Sequence, residues 1–417
     1  TDVFDTTFHK SGLSDHNQNN VKTFVSKPYD FADKGIQPKT TDVYKDFKDK
    51  VDFFKPDLIA VSLVEDTFRY GERLLESIRE YDIPVVAGGP FCTYGSDKVA
   101  GCPDVDFIIR GEGEAPLKEL CLALINDTSH KKIANLIYRD GGNLIPNDMR
   151  PAMELNDIPF ADYEVFIRND KDTLYRPMCG TIYKTISLET QRGCPFKCSF
   201  CNSASNNPLY KEETGSTFFR KKDMSRLAEE LDYMISTINP ELVYFVSDVF
   251  LLMTDREFDE FYEVYSSYKI PFFMQTRSET ITEYRVRKLE ELNCLRANVG
   301  LEHGNEQFRR DVVKRKLKDV EITRAFNIIG SSSISTAANN IIGFPTETRE
   351  LIFDTINLNR TVSKNVDSVS CFIFAPYMGT PLRDLAVEKG YMSSDTLVDK
   401  NSFAESMLTM PELSNDT

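Results

Sequence analysis

The pattern of hydrophobic positions predicts strands that alternate with amphipathic helices in two regions of the chain. In the first region, apolar runs at 58–63, 84–87 and 107–110 alternate with helical patterns over 68–81 and 116–125. Short apolar runs bounded by glycine and proline are typical of strands buried on both faces of a parallel sheet. The first region is therefore predicted to be a doubly wound, Rossmann-like α/β domain.

The second region repeats the alternation six times. The strand-like segments lie near 185–188, 243–246, 272–275, 297–299, 337–342 and 368–374. Most are separated by helical patterns, at 224–238, 257–268, 282–292, 322–329 and 351–362. Six βα units of this kind predict a partial (βα)6 TIM-like barrel, with its active site at the carboxyl ends of the strands.

These patterns divide the chain into four segments. We expect the Rossmann-like domain over 1–125, a linker over 126–183, the barrel over 184–392 and a tail over 393–417. The linker is expected to contain a hairpin with its turn at 140–142. Residues 2–8 resemble the second strand of a doubly wound domain. This resemblance predicts that the domain's first strand and helix precede Thr1. Separately, because the tail is short, we expect it to be part of a longer cap.

Composition narrows the function classes. The 417 residues carry a formal charge of −15, which disfavours a nucleic-acid partner. The short basic run at 220–222 is expected to lie on a solvated face. Apolar stretches are too short to span a membrane. Nine cysteines predict reduced thiols or metal ligands rather than a disulfide framework, and hence a cytoplasmic setting.

The strongest chemical signal is a loop directly after the first barrel strand. It contains Cys194, Cys198 and Cys201 in a C-x-x-x-C-x-x-C spacing. Three thiolates so spaced can ligate three irons of a 4Fe-4S cluster and leave the fourth iron open. A structural zinc site is the alternative, with Cys179 or Cys371 as the fourth ligand. Core or loop positions are expected for the six other cysteines.

This spacing, with Phe200 before the last cysteine, resembles the radical S-adenosylmethionine (SAM) superfamily. The resemblance implies that SAM binds the open iron and yields a 5'-deoxyadenosyl radical on reduction. Ser247 and Asp248 would then meet the SAM ammonium group, although Asp248 could instead cap the next helix. Gly300-Leu-Glu-His-Gly304 is similar to the family's Gly-Ile-Glu-Ser-Gly. In it, Glu302 would accept the ribose hydroxyls or be salt-bridged at the rim.

Further positions extend the resemblance to the later strands. Arg277 at the end of the third strand and Gly343 at the end of the fifth also match SAM-binding positions of the family. A glycine at the latter position allows the backbone to approach a flat ligand. The segment 374–381 matches the end of the sixth strand, or simply closes the barrel wall. The four histidines are expected at surface or loop positions, except that His303 could lie beside the cluster.

The first region resembles the cobalamin-binding domain that is fused to many radical SAM enzymes. Ser62, Gly88 and Gly89 follow its first two strands and would meet the corrin and its nucleotide tail. The Asp-x-His-x-x-Gly motif, which would supply a histidine to cobalt, is absent, and residues 7–12 match it only in part. Cobalamin is therefore expected without a histidine on cobalt. The alternative is a domain of this fold with no cofactor.

Together the two resemblances imply a cobalamin-dependent radical SAM methyltransferase. Its cofactors would be a 4Fe-4S cluster, SAM and cobalamin. Its partners would be a small-molecule or lipid-like substrate with an unactivated carbon and an electron donor such as flavodoxin or ferredoxin. One alternative is a radical SAM enzyme that cyclises, oxidises or rearranges its substrate. Another is a non-catalytic iron-sulfur or zinc protein. No residue is assigned to proton or hydrogen transfer.

Overall fold

A computed structural model describes residues 1–9, 27, 29–398 and 405–414. The described residues form a five-stranded sheet, a seven-stranded sheet and a two-stranded ribbon. The strands are β1 (Ile59–Ser62), β2 (Val85–Gly88), β3 (Phe107–Ile109), β4 (Leu136–Asp140), β5 (Asn143–Pro146), β6 (Tyr175–Met178), β7 (Thr181–Leu188), β8 (Gln191–Arg192), β9 (Arg220–Lys221), β10 (Leu242–Phe245), β11 (Phe272–Arg277), β12 (Cys294–Glu302), β13 (Ser335–Ile342) and β14 (Ser368–Ile373).

The α-helices of the described residues connect these strands and cover the sheets. They are α1 (Val43–Phe54), α2 (Phe68–Glu76), α3 (Pro90–Tyr94), α4 (Ser96–Ala100), α5 (Glu114–Ile125), α6 (Glu164–Asp170), α7 (Asn202–Thr214), α8 (Met224–Ile238), α9 (Asp255–Tyr265), α10 (Glu283–Glu291), α11 (Glu306–Asp311), α12 (Asp319–Gly330), α13 (Arg349–Val362) and α14 (Pro381–Glu388). None of the helices in the described part of the chain is long and apolar enough to cross a lipid bilayer.

The five-stranded sheet has the order β1-β2-β3-β4-β5. Its first three strands are parallel and coincide with the strands predicted from the apolar runs. The predicted hairpin forms, with Gly141 and Gly142 at positive φ in its turn. It pairs antiparallel with β3, however, so it extends the sheet and is not part of a linker. The N-terminal unit therefore continues beyond residue 125 to Pro146.

The strand expected over 2–8 is absent. Asp2 and Asp5 instead accept hydrogen bonds from the backbone of Val3 and Thr7, and the segment makes a single bridge, between His9 and Lys39. Aspartate side chains that satisfy nearby amides compete with strand pairing in this way. Residues 10–12 of the partial cobalamin motif and His16 lie outside the described residues.

The seven-stranded sheet has the order β14-β13-β12-β11-β10-β7-β6 and forms the open barrel. Its six parallel strands are the six predicted ones, and β6 adds to β7 in antiparallel orientation. Alternate side chains, such as Ala297 and Val299, pack with helix residues such as Phe326 in one large core. Because side chains alternate along a strand, the residues between them face the inner, concave side.

The described part of the tail belongs to the barrel's packing. Leu408 and Met410 are buried with Phe344, Phe374 and Tyr391 beyond the end of β13 and β14. The backbone N–H of Thr409 also donates to the carbonyl of Tyr391 at 2.9 Å. The segment 405–414 therefore covers apolar side chains that the last strands would otherwise expose.

Candidate active site where the two sheets meet

The cysteine loop leaves the end of β7 through the ribbon strand β8. Gly193 precedes the first cysteine with a φ of 86°, and a Cβ there would lie 2.8 Å from the Phe218 ring. Only glycine suits such a turn. Cys194 and Cys198 are buried, Cys201 is partly buried, and α7 begins at the next residue. The structure thus places all three thiols at the carboxyl edge of the barrel.

Hydrogen bonds hold the loop at several points along its length. The Ser199 backbone N–H donates to Val313 at 3.1 Å, and its carbonyl accepts from Leu382 at 3.0 Å. Asn207 on α7 donates to the Cys194 carbonyl at 2.8 Å. Asp248, after β10, accepts from the Ser203 hydroxyl and the Gly193 backbone. The loop is therefore preorganised by its neighbours rather than by the cysteines alone.

Arg277 at the end of β11 lies against the loop. Its Nη1 donates to the Cys198 Sγ at 3.2 Å, and its guanidinium stacks 3.7 Å from the centre of the Phe196 ring. Glu279 pairs with the same guanidinium. The sequence suggested Arg277 for SAM, whereas its observed contacts are with the loop.

Burial opposes ionisation of the other two thiols. It raises the pKa of Cys194 to about 12 and also raises the pKa of Cys201. Metal binding must therefore displace protons from these groups, since thiolates are the ligating form. Burial likewise raises the pKa of Asp248, while its bonds to Ser203 and Gly193 lower it.

Other predicted SAM positions differ in their surroundings. Ser247 is buried and bonds both the backbone and the hydroxyl of Thr190 at 3.0 Å, which uses its side chain within the protein. The N-cap of α9 is Thr254, so Asp248 is not the helix cap. Phe200 packs with Phe344 at 6.0 Å. Gly343 is buried and has a φ of 77°, and a Cβ added there would be in van der Waals contact with the Ile373 side chain, at 3.4 Å.

Glu302 is paired at the rim. Its carboxylate accepts from Arg315 at 2.7 Å, and Arg315 also donates to the Gly300 carbonyl at 3.0 Å. Burial raises the pKa of Glu302, while Arg315 and Arg277 lower it. The salt-bridge alternative is thus present in the structure. The Arg315 Nε is buried without a partner among the described residues, which leaves a donor for a further ligand.

Among the described residues, His9 and His303 are buried. His9 lies outside the helices and strands but not at the surface, and its Nε2 is 3.1 Å from Asp46. His303, the expected exception, is fully buried: its Nε2 lies 2.9 Å from Glu347, and its Nδ1 accepts from the Asn305 backbone. Glu347 also accepts from the backbone N–H of Gly343. His303 therefore braces the Gly343 turn, a role that spacing alone does not reveal.

At the carboxyl edge of the N-terminal sheet, the positions of Ser62 and Gly88 offer space rather than charge. Ser62 and Gly88 are paired at the ends of β1 and β2, and Ser62 is exposed. A Cβ on Gly88 would meet no atom within 4 Å, whereas one on Gly89 would lie 2.6 Å from the Leu63 carbonyl. Gly89 thus shapes the turn, and Gly88 leaves an open surface beside it.

The two edges meet through residues that the sequence analysis did not single out. Tyr94, at the end of the helix after Gly89, donates to the Asn206 side chain at 2.6 Å and to the Asn202 carbonyl at 3.2 Å. Burial and the nearby Cys201 raise the pKa of Tyr94, so it remains a donor. Both asparagines lie in the first turns of α7, directly after the last cysteine.

A buried ionic network makes the second junction. Glu112 of the N-terminal unit pairs with Arg192 at 2.7 Å and with Arg220. Arg192 also pairs with Glu114 and Glu189, and it stands two residues before Cys194. Arg220 and Lys222 are therefore buried, not solvated as their basic run suggested. In the sequence, the alternating Gly-Glu-Gly-Glu of 111–114 is the feature that could have indicated this ionic network.

Comparison with known protein families gives a match for the barrel and another for the N-terminal unit. The radical SAM superfamily model matches residues 188–358, and the B12 binding domain model matches residues 19–121. The chain belongs to the radical SAM enzymes that carry a B12-binding domain. A radical SAM domain implies a 4Fe-4S cluster and SAM as cofactors, and a B12-binding domain implies cobalamin.

Relatives of this radical SAM protein share much of its length. It is 27% identical over 346 residues to an uncharacterized methyltransferase of Pyrococcus horikoshii, covering 80% of this chain and 70% of the relative. It is 24% identical to the anaerobic magnesium-protoporphyrin IX monomethyl ester cyclase of Cereibacter sphaeroides, covering 80% of this chain and 54% of the relative. The chain thus spans little more than half of the second relative.

Solved structures share the fold of this radical SAM protein. The methyltransferase TsrM of Kitasatospora setae, solved with cobalamin and a 4Fe-4S cluster, has a TM-score of 0.64 at 15% identity, over 90% of this chain and 78% of that one. The cobalamin-dependent SAM radical enzyme OxsB also has a TM-score of 0.64 at 15% identity, over 86% of this chain and 56% of that one.

The residues present fit these cofactors. Among the described residues, no three His, Cys, Asp or Glu side chains are close enough to hold one metal ion. Ligands of a cluster each bind a different iron, so the thiols of Cys194, Cys198 and Cys201 need not converge on one point. At the other edge, the open surface at Gly88 leaves room for a planar ligand.

Proposed function

We propose that this protein is a cobalamin-dependent methyltransferase that acts on an unactivated carbon of a small-molecule or lipid-like substrate. The observation that carries the proposal is the Tyr94 contact. It joins the short helix that follows the turn after β2, where cobalamin would lie, to the helix that begins directly after the last cluster cysteine. A methyl carrier and a radical source must face one substrate, and this junction brings their two edges together.

At the barrel edge, Cys194, Cys198 and Cys201 would hold the cluster, and Arg277 would stabilise the ligand charge at Cys198. Glu302, with its partner Arg315, is the candidate for the SAM ribose hydroxyls. Asp248 is the candidate for the ammonium group. Phe200 and Gly343 would contact the rest of SAM. We omit Ser247 from this set because its hydroxyl is bound to Thr190.

At the other edge, Ser62, Gly88 and Gly89 would bind cobalamin through small side chains and backbone. When bound, the three cofactors supply an electron, a radical precursor and a transferable methyl group. The chain orients these groups and keeps water from the radical, since an open site would quench it. Two relatives named methyltransferases support methyl transfer as the reaction class.

The second candidate is a radical cyclisation without methyl transfer. It is supported by two relatives whose name is cyclase, which match 80% and 85% of this chain. The two reactions differ in mass balance. Methylation adds one CH2 unit to the substrate and yields S-adenosylhomocysteine, while an oxidative cyclisation removes hydrogen and yields none.

The test is an anaerobic reconstitution with iron, sulfide and cobalamin, followed by reduction and addition of SAM. Mass spectrometry then measures 5'-deoxyadenosine and S-adenosylhomocysteine. We expect both from the native chain, and only S-adenosylhomocysteine from Cys198→Ala. Gly88→Phe should reverse the pattern, because its ring would fill the cobalamin surface. Formation of 5'-deoxyadenosine without S-adenosylhomocysteine in the cobalamin-loaded native protein would favour the cyclase.

We further propose an electron donor such as flavodoxin or ferredoxin as the reductant, and a cytoplasmic setting. The nine cysteines support the setting, since all are free thiols in the structure. Reducing compartments keep thiols in that state.

A further inference from the structure

The concave face of the barrel sheet carries one arginine deep below the cluster loop. Arg296 directly precedes the core-facing Ala297 on β12. Because side chains alternate along a strand, the Arg296 side chain faces the inner, concave side. It is partly buried. Its register partners on the flanking strands are Phe273 and Ser335. Four residues further along β12, Gly300 is level with Arg277, which contacts Cys198. Arg296 therefore lies about 13 Å deeper than that level.

The partners of this guanidinium are uncharged. Its Nη2 donates to the Ser368 hydroxyl at 2.7 Å, its Nη1 to the Ser335 hydroxyl at 3.1 Å, and its Nε to the Asn298 side chain at 3.2 Å. The Cys179 sulfur lies at 4.0 Å from Nη1. Among the described residues, no carboxylate lies within ion-pair distance of Arg296.

The fully buried arginines of this unit, in contrast, each have an acidic partner. Arg277 pairs with Glu279, Arg315 with Glu302, and Arg309 with Asp319. Burial of a cation without a counter-charge is costly, so a partly buried and uncompensated guanidinium is an exception that calls for an anion. The hydroxyl groups around Arg296 are also suited to binding an anion. Ser335 and Ser368 accept from the arginine through oxygen, which leaves each hydroxyl proton free to be donated.

We propose that Arg296, with Ser335 and Ser368, binds a carboxylate group of the substrate on the floor of the barrel. This inference rests on the proposed function for its meaning, because the anchored group would hold the rest of the substrate beneath the radical source. A single guanidinium balances one negative charge, which favours a carboxylate over a phosphate dianion. Tyr244 and Phe273, whose ring centroids lie 4.3 Å apart at an interplanar angle of 31°, form an aromatic wall beside it for an apolar body.

The test is an equilibrium titration of the reconstituted holoenzyme with benzoate, benzamide and phenyl phosphate, followed by calorimetry. Benzoate is the probe for an aromatic carboxylate, and benzamide matches its shape without charge. We expect binding of benzoate that is at least tenfold tighter than that of benzamide. Arg296→Gln should weaken benzoate binding by about tenfold or more, and Ser368→Ala by several-fold. Neither should change benzamide binding.

Arg139→Gln is the matched control, because Arg139 also bonds only uncharged acceptors but lies on the N-terminal sheet. It should bind benzoate as the native protein does. Equal binding of benzoate by the native protein and Arg296→Gln would overturn the site, as would failure of benzoate to bind. Tighter phenyl phosphate binding would overturn the carboxylate assignment. If Arg296→Gln does not fold, Ser368→Ala decides. Since no turnover is measured, these outcomes are separate from the loss or presence of 5'-deoxyadenosine formation.

Discussion

The two sheets offer opposite kinds of surface where their carboxyl edges meet. The barrel edge carries directional ligands and charges: three thiols, the Arg277 guanidinium and the Glu302–Arg315 pair. The edge of the N-terminal sheet carries Ser62 and two glycines, with open space at Gly88. A metal cluster needs fixed ligands, and a large planar cofactor needs an unobstructed surface. The contrast shows how one crevice can hold both.

The largest effect is expected at the directional edge. Cys198→Ala removes the thiol that Arg277 contacts and one of the three candidate iron ligands. Cluster iron and sulfide should fall to background after reconstitution, and 5'-deoxyadenosine formation should be lost. Cobalamin binding, measured by its visible absorbance, should be unchanged because that edge is separate. Cys121→Ala, on α5 of the N-terminal unit, is the control. Full iron content in the Cys198→Ala protein would show that the barrel edge does not hold a cluster through this thiol, and the proposed difference between the two edges would be lost.

The next effect concerns the ionic junction between the two edges. Glu112→Gln keeps the side-chain shape but removes the charge that faces Arg220, and both side chains are under a tenth exposed, at 7% and 6%. Leaving a buried cation unpaired should cost about 3 kcal/mol in the free energy of unfolding. Chemical denaturation followed by circular dichroism measures it.

The control for this junction is a second pair that also crosses it. Glu213→Gln removes the partner of Arg110, and the side chains of that pair are 35% and 20% exposed. Solvent screening should keep its effect at about 1 kcal/mol or less. Equal losses for Glu112→Gln and Glu213→Gln would show that burial of the network does not decide its contribution.

Adjacent glycines allow a sharper test at the open edge. Gly89→Ala forces a φ of 103° on a residue with a Cβ and places that atom 2.6 Å from a carbonyl, so it should cost about 2 kcal/mol of stability. Gly88→Ala meets no atom and should change stability by about 0.5 kcal/mol or less. Thermal unfolding compares the two variants. A destabilised Gly88→Ala would mean that the surface is not open.

The smallest effect is expected at the Tyr94 contact. Tyr94→Phe removes the hydroxyl that donates to Asn206 and Asn202, and should cost about 1 kcal/mol of unfolding free energy while cluster content stays the same. Urea denaturation measures the change. Tyr262→Phe, at a surface hydroxyl, is the control and should leave the midpoint in place. An unchanged midpoint for Tyr94→Phe would mean that packing alone joins the edges.

The local pattern of apolar residues was sufficient to predict most helices and strands of the fold. The six parallel barrel strands and the helix Met224–Ile238 coincide with their predicted positions because apolar periodicity reflects burial against a sheet or helix. The same reasoning failed for residues 2–8, where aspartates bond the local backbone, and for the hairpin's place in the sheet. Pairing between distant segments depends on contacts that periodicity does not encode.

The sequence by itself determined the chemistry available to this protein: a cysteine triplet after a barrel strand, glycines after two sheet strands and the family of each region. Spacing suffices there because neighbouring residues in one loop stay close in any fold. Only the tertiary structure decided which charges are paired, from Glu112 with Arg220 to His303 with Glu347, and which are not, as at Arg296. Those relations join residues far apart in the chain, and burial, which sets their energies, exists only once the chain has folded.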